Sequence, residues 1–132
     1  MQGFVDNIEQ KTLANTHFRH VLYTGKHTQL VLMSLAPNSE IGMEVHEEND
    51  QFFRFDSGKG KVIIDNNEYD VSDGFAVIVP AGTEHNVINI SATEPLQLYT
   101  LYSPPHHKDG ILRATKEEAD AHEADYDGIT TE

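Results

Sequence analysis

The sequence predicts an all-β domain of the sandwich or barrel class, followed by one short helix near the C-terminus. Three observations carry that expectation. Between about Phe18 and Tyr102, short runs rich in Val, Ile, Phe, Tyr and Thr follow one another. Turn-forming clusters separate them at nearly even intervals: Pro37-Asn38-Ser39, Ser57-Gly58-Lys59-Gly60, Asn66-Asn67, Ser72-Asp73-Gly74, Ala81-Gly82 and Ser91-Ala92-Thr93. The gaps are too short for helical crossovers between parallel strands, so neighbouring strands should pair antiparallel.

Taken in order, residues 1–16 read as a polar N-terminal arm in which Asp6 to Asn15 forms a frayed helix. The barrel domain occupies residues 17–107. Its strands are expected at Val21–Tyr23, Gln29–Leu35, Gln51–Phe55, Lys61–Asp65, Phe75–Val79, Val87–Ile90 and Leu96–Tyr102. Asn66-Asn67 lies between "KVIID" and "EYDV" and reads as a tight hairpin, because asparagine tolerates positive φ. Pro80 stands at a strand end, where its missing N–H does least harm. In residues 108–132, Thr115-Lys116-Glu117-Glu118 is a capping box that opens a short helix. The apolar face of that helix is Ala119, Ala121 and Ala124 only, so it should be weakly held, and Asp125 to Glu132 should fray.

Composition narrows the function classes. A chain of 132 residues is one domain by size and long enough to bury a core without staples. It has no cysteine, which excludes disulfides, thiolate zinc sites and thiol nucleophiles. Nine Lys+Arg against 22 Asp+Glu give a formal charge of −13, a field that repels nucleic acid and anionic membrane surfaces. The N-terminal "MQGFVDNIEQ" lacks a basic region followed by an apolar run, and the expected location is cytoplasmic. The sequence contains neither G-x-S-x-G nor G-x4-G-K-[ST], the signatures of a nucleophile elbow and a phosphate loop.

The stretch Gly74 to Asn89, "GFAVIVPAGTEHNVIN", satisfies G-x5-P-x-G-x2-H-x3-N through Gly74, Pro80, Gly82, His85 and Asn89. This pattern resembles the second motif of the cupin superfamily, and the resemblance extends over roughly Leu30 to Tyr102. It implies a single double-stranded β-helix, the cupin or jelly-roll barrel, with His85 pointing inward. The first cupin motif, G-x5-H-x-H-x3-4-E-x6-G, is matched in part. Gln51 and Gly58 stand in the E-x6-G relation, and Glu44-Val45-His46 falls in the H-x-H place. The leading glycine position holds Asn38.

The resemblance therefore implies a metal site made by Glu44, His46, Gln51 and His85. Glu44 replaces a histidine and Gln51 replaces a glutamate, so one carboxylate is kept and the ligand charge stays at −1. Residues 44 and 46 are i and i+2 on an extended chain, on one face and about 6.6 Å apart along it. A mixed N/O set suits Mn, Fe, Ni, Co or Zn. Glu48 shares that parity and is the alternative anionic ligand, although "EEND" reads as the loop after the motif.

Phe53 and Phe55 share the parity of Gln51 and should line the pocket beside it, which turns Arg54 outward. On the last strand either Tyr99 and Leu101 or Leu98 and Tyr102 face inward. Asn89 shares the parity of His85, which allows a hydrogen bond inside the barrel, and the resemblance implies a structural role for it. His106 and His107 read as loop residues, one of them a candidate to close over the barrel mouth. His17, His20, His27 and His122 belong to no pattern. The resemblance implies a small-molecule metalloenzyme of oxygenase or isomerase type, with a non-catalytic small-molecule or sugar binder as the alternative. Acidity and the want of an inward arginine favour a neutral oxygen-donor substrate. Single-barrel cupins commonly pair, so a homodimer is expected, its interface including residues 1–30 with Phe4, Phe18 and Tyr23.

Overall fold

The computed structural model describes all residues 1–132. After helix α1 (Ile8–Ala14) come strands β1 (Arg19–Thr24), β2 (Gln29–Leu35), β3 (Asp50–Ser57), β4 (Lys59–Ile64), β5 (Asn67–Ser72), β6 (Ala76–Val79), β7 (His85–Asn89), β8 (Leu96–Ser103) and β9 (Leu112–Arg113), then helix α2 (Lys116–Ala121). They form two antiparallel sheets. The larger has six strands in the order β6-β3-β8-β2-β1-β9, and the smaller has three in the order β5-β4-β7. The all-β expectation holds, with a short C-terminal helix as read.

Alternation decides which residues fill the space between the sheets. In β8, Leu96, Leu98, Thr100 and Tyr102 are buried while the residues between them are not, which settles the parity of the last strand. Val31, Met33 and Leu35 from β2 and Phe53 and Phe55 from β3 meet Val62, Val71 and Val87 from the smaller sheet in one continuous cluster. Fully burying a side chain of this kind contributes roughly 1.5–3 kcal/mol, so this cluster is the main source of stability. Gly58 has φ +98, and a Cβ there would lie 2.5 Å from the Pro95 carbonyl oxygen. That is a steric reason for the glycine of the E-x6-G spacing.

Three local expectations need correction. The hairpin turn sits one residue early: Ile64 pairs with Asn67, and Asp65 and Asn66 take positive φ as the two turn residues. Strand β9, two residues long, has too little pattern to be read. The C-terminal tail is tied down rather than frayed. Glu132 accepts hydrogen bonds from the Gln2 and Gly3 amides and the Tyr23 hydroxyl, and the Thr131 amide bonds to the Thr24 carbonyl. No periodicity announces contacts made by a terminus with a distant strand. The Thr115 cap is as expected, accepting from Glu118 N–H, and α1 is capped in the same way by Asn7, which accepts from Gln10 N–H.

Candidate metal centre

Three backbone features bring the predicted ligands to one end of the barrel. Glu44 and His85 exchange both backbone hydrogen bonds, at 2.8 and 2.9 Å, so they stand directly opposite each other with side chains on one face. His46, two residues on, shares that face. The Gly82 amide donates to the His46 carbonyl at 2.9 Å, which ties the turn before β7 to the same strand segment. The side chains of Glu44, His46 and His85 each offer a ligand atom within 4.8 Å of the others. Gln51 enters from the other sheet, and its Oε1 lies 3.2 Å from His85 Nε2. The structure thus gathers all four residues. Glu48 is exposed beyond a bend at residues 47–48 and is not part of the cluster.

Hydrogen bonds fix which atoms face the centre. His85 Nδ1 lies 2.9 Å from the Thr83 carbonyl oxygen. A carbonyl only accepts, so Nδ1 carries the proton and Nε2 presents a lone pair. The Gln51 amide nitrogen donates to Thr100 Oγ1 at 3.0 Å, which aims its oxygen at that lone pair. Two acceptors therefore face each other in a buried site, an arrangement that a cation between them relieves. The backbone carbonyl behind His85 is also the support that metal-bound histidines characteristically have. His46 Nε2 donates to Glu44 Oε2 at 2.9 Å. Burial raises the Glu44 carboxyl, but the hydrogen bond and charge of His46, then Arg19 and His85, outweigh it and hold the group below its ordinary value. Burial pushes His85 down, and the His46 charge adds to that, so His85 favours the neutral form a metal needs. The donor set fits a divalent transition ion.

The surroundings include residues that the sequence reading placed elsewhere or missed. Phe53 lies beside His85, with ring centroids 6.3 Å apart, and Phe55 stacks behind it at 6.4 Å. Arg54 is turned away toward Asp56. His106 and His107 are loop residues as expected, yet the loop is folded inward. Gln29 accepts from both of their amides, and Asn49 donates to the Pro104 and Pro105 carbonyls. This sets the His106 ring 4.4 Å from that of His46. A cavity of about 300 Å³ opens beside Glu44, His46 and His106, and Arg19 and Arg113 stand in its wall. The expected want of an inward arginine is therefore wrong. Arg19 has the parity of Val21, a core residue, and that was the available signal. Asn89 is structural: its amide nitrogen donates to the Leu35, Ala36 and Glu94 carbonyls.

Comparison with known proteins identifies the family. Residues 31–102 match the cupin domain family. The chain is 46% identical over 126 residues to the uncharacterized protein YrkC of Bacillus subtilis (strain 168), covering 91% of this chain and 67% of that protein. It is 41% identical over 114 residues to the uncharacterized protein L612 of Acanthamoeba polyphaga mimivirus, covering 84% and 71%. Among solved structures, BH2720 from Bacillus halodurans superposes with a TM-score of 0.88 at 42% identity, covering 92% of this chain and 96% of that one. TT1209 from Thermus thermophilus shares the fold at a TM-score of 0.67 and 24% identity, covering 76% and 96%. The chain belongs to the cupin superfamily, as a small single-domain member.

Proposed function

We propose that Glu44, His46, Gln51 and His85 hold one divalent transition metal, from among Mn, Fe, Ni, Co and Zn, and that the protein is a small-molecule metalloenzyme of oxygenase or isomerase type. The observation that carries the proposal is the pair of facing acceptors, His85 Nε2 and Gln51 Oε1, 3.2 Å apart beside Glu44 and His46. When bound, such an ion supplies Lewis acidity or redox chemistry. The chain's own residues do the rest. Thr83 and Thr100 orient two ligands, Phe53 keeps water from the inner side of the site, and the cavity beside His106 admits a substrate with oxygen donors. His106 is the neutral base or hydrogen-bond partner in the wall, because burial lowers it, as does the His46 charge.

Elemental analysis of protein purified without a histidine tag is the test. Wild type should carry close to one ion per chain, and a His46→Ala, His85→Ala double variant should carry almost none. Equal metal content in the two proteins would end this reading.

The homodimer is likewise a proposal, but the N-terminal aromatics lend it no support. Phe18 is in the core, and Phe4 packs on Tyr23 within the chain, with ring centroids 6.1 Å apart. Exposed apolar groups stand at the open edges of both sheets, among them Tyr69, Phe75 and Ile78, and in the N-terminal arm, where they are Met1, Val5 and Leu13 rather than the aromatics. Light scattering at micromolar concentration is expected to give twice the 14.8 kDa chain mass, and a value at the single mass refutes the dimer. As for membranes, no helix is long and apolar enough to cross one.

A further inference from the structure

We propose that the cavity beside the metal site takes a small monocarboxylic acid, with its carboxylate on Arg19 and a neighbouring oxygen donor on the ion. This inference rests on the metal reading above. It also replaces the neutral substrate expected from composition.

The primary observation is a buried donor without an acceptor. Arg19 Nε is shielded from solvent and bonds to nothing in the protein; Arg54 Nε shares that state but has Asp56 3.5 Å away, whereas Arg19 has no carboxylate beside it. A buried, unsatisfied polar group is costly, and native structures rarely keep one without a reason. The guanidinium stands over the Phe18 ring, 5.3 Å from its centroid, which holds its plane in place. None of the four carboxylates lining the cavity, Glu44, Asp120, Glu123 and Asp125, forms an ion pair with it inside 4.0 Å. Glu44 Oε2 is held by His46.

Strand register adds a second observation. Arg19 on β1 is directly opposite Arg113 on β9, so both side chains share a face. Like charges in that relation destabilise a sheet. The two arginines are not equivalent, however. Arg113 donates to the His122 carbonyl from Nε and Nη2 and to the Leu112 carbonyl from Nη1, so its donors are committed to bracing the end of α2. Arg19 has its fork free. A planar fork with parallel N–H donors matches a carboxylate bidentately.

Charge and size define the ligand further. Next to the ion, Glu44 and Arg19 cancel, so one carboxylate halves the ion's charge of +2, while the rest of the charged lining, Arg113 against Asp120, Glu123 and Asp125, is net negative. Asp120 on α2 and Glu123 and Asp125 just after it form the opposing acidic wall, which disfavours a second carboxylate on the same molecule. A cavity of about 300 Å³ is at the small end for ligand sites. A short 2-hydroxy or 2-oxo acid meets all three conditions.

The test uses full-length, untagged protein loaded with Zn²⁺, titrated calorimetrically with lactate, lactamide and propane-1,2-diol. Lactate should bind at least about tenfold more tightly than its two neutral analogues, the range of a charge-assisted hydrogen-bond pair. Arg19→Gln should remove that advantage while Zn²⁺ affinity stays within about twofold of wild type. Arg19→Lys, which keeps the charge and loses the fork, should fall between and serves if the glutamine variant does not fold. In wild type, the Arg19 Nε–H resonance should move on adding lactate. Equal affinities for lactate and lactamide, or undiminished lactate binding by Arg19→Gln, overturn the proposal while leaving the metal site standing. If wild type takes up no Zn²⁺, the metal reading fails by itself. Acetate then reads Arg19 alone: a shift of its Nε–H resonance upholds the anion site, and a still resonance removes it.

Discussion

Exchanging Gln51 for glutamate is expected to tighten the bound ion on the order of tenfold or more, the kind of change by which ligand charge tunes carboxylate metal sites, and to destabilise the metal-free protein. Both effects follow from one added charge at a position 2% exposed to solvent. With the ion present, a carboxylate replaces a neutral amide and the ligand charge rises from −1 to −2. Thr100 keeps its contact by turning its hydroxyl to donate. Without the ion, a second carboxylate is buried beside the Glu44–His46 pair, where desolvation and like charge both oppose its ionisation. Thermal melts in EDTA and in Zn²⁺ should therefore move in opposite directions from wild type, and a chelator competition titration should give the tighter constant. Any turnover should decrease, because the more anionic set weakens the ion as a Lewis acid. An unchanged metal affinity would show that Gln51 is not a ligand.

That prediction could be framed from sequence because the features behind it are local in the chain. The motif from Gly74 to Asn89 places His85 by a turn and a strand, and residues 44 and 46 share a face by alternation alone. Runs of β-branched and aromatic residues between turn signals also made β2 to β4 and β6 to β8 legible, apart from the one-residue shift at Asp65-Asn66 and the loose ends of β4, whereas β5, exposed from Asn67 to Asp70, was implied only as the second arm of the hairpin. What stayed hidden depends on contacts remote in sequence. That one of the two loop histidines closes over the mouth was a candidate reading, but which one does so is set by Gln29, 77 residues from His106, and by Asn49. Arg19 is directed into the cavity by its place next to β9, a strand of two residues with no signature of its own. Its parity with Val21 was legible, but a charged residue at an inward position is normally discounted because burying it alone is so costly. The same cost is what makes Arg19 informative once the structure shows its Nε without a partner.

Acid should destabilise the metal-free fold from about pH 6.5 downward, well before ordinary carboxylates titrate, and His107 should be the largest single cause. Burial pushes the imidazole from its ordinary 6.5 to about 2, and the nearby charges of Arg19, His106 and His46 push the same way. Only Tyr102 is in position to help: its hydroxyl lies 3.3 Å from His107 Nε2. Burial raises the phenol above its ordinary value, so Tyr102 keeps its proton and donates it to a neutral ring. In the unfolded chain His107 takes up a proton below 6.5, whereas the folded chain refuses it until about 2. The unfolded state then binds more protons, and stability falls as pH falls across that window. The slope is about 1.4 kcal/mol per pH unit for one such group, or roughly 2 kcal/mol between pH 6.5 and 5. His85 and His106 are also lowered and add to the slope, while Glu44, held below its ordinary value, contributes only at lower pH. Urea unfolding in EDTA at pH 7.5, 6.0 and 5.0 measures the effect. His107→Gln should be less stable than wild type at pH 7.5, because it loses the ring that Tyr102 packs against, with ring centroids 5.0 Å apart. Its stability should nonetheless fall less steeply, by about 1.4 kcal/mol per unit, so the two curves converge toward acid. Parallel curves would show that His107 gains its proton in the folded state as readily as in the unfolded one.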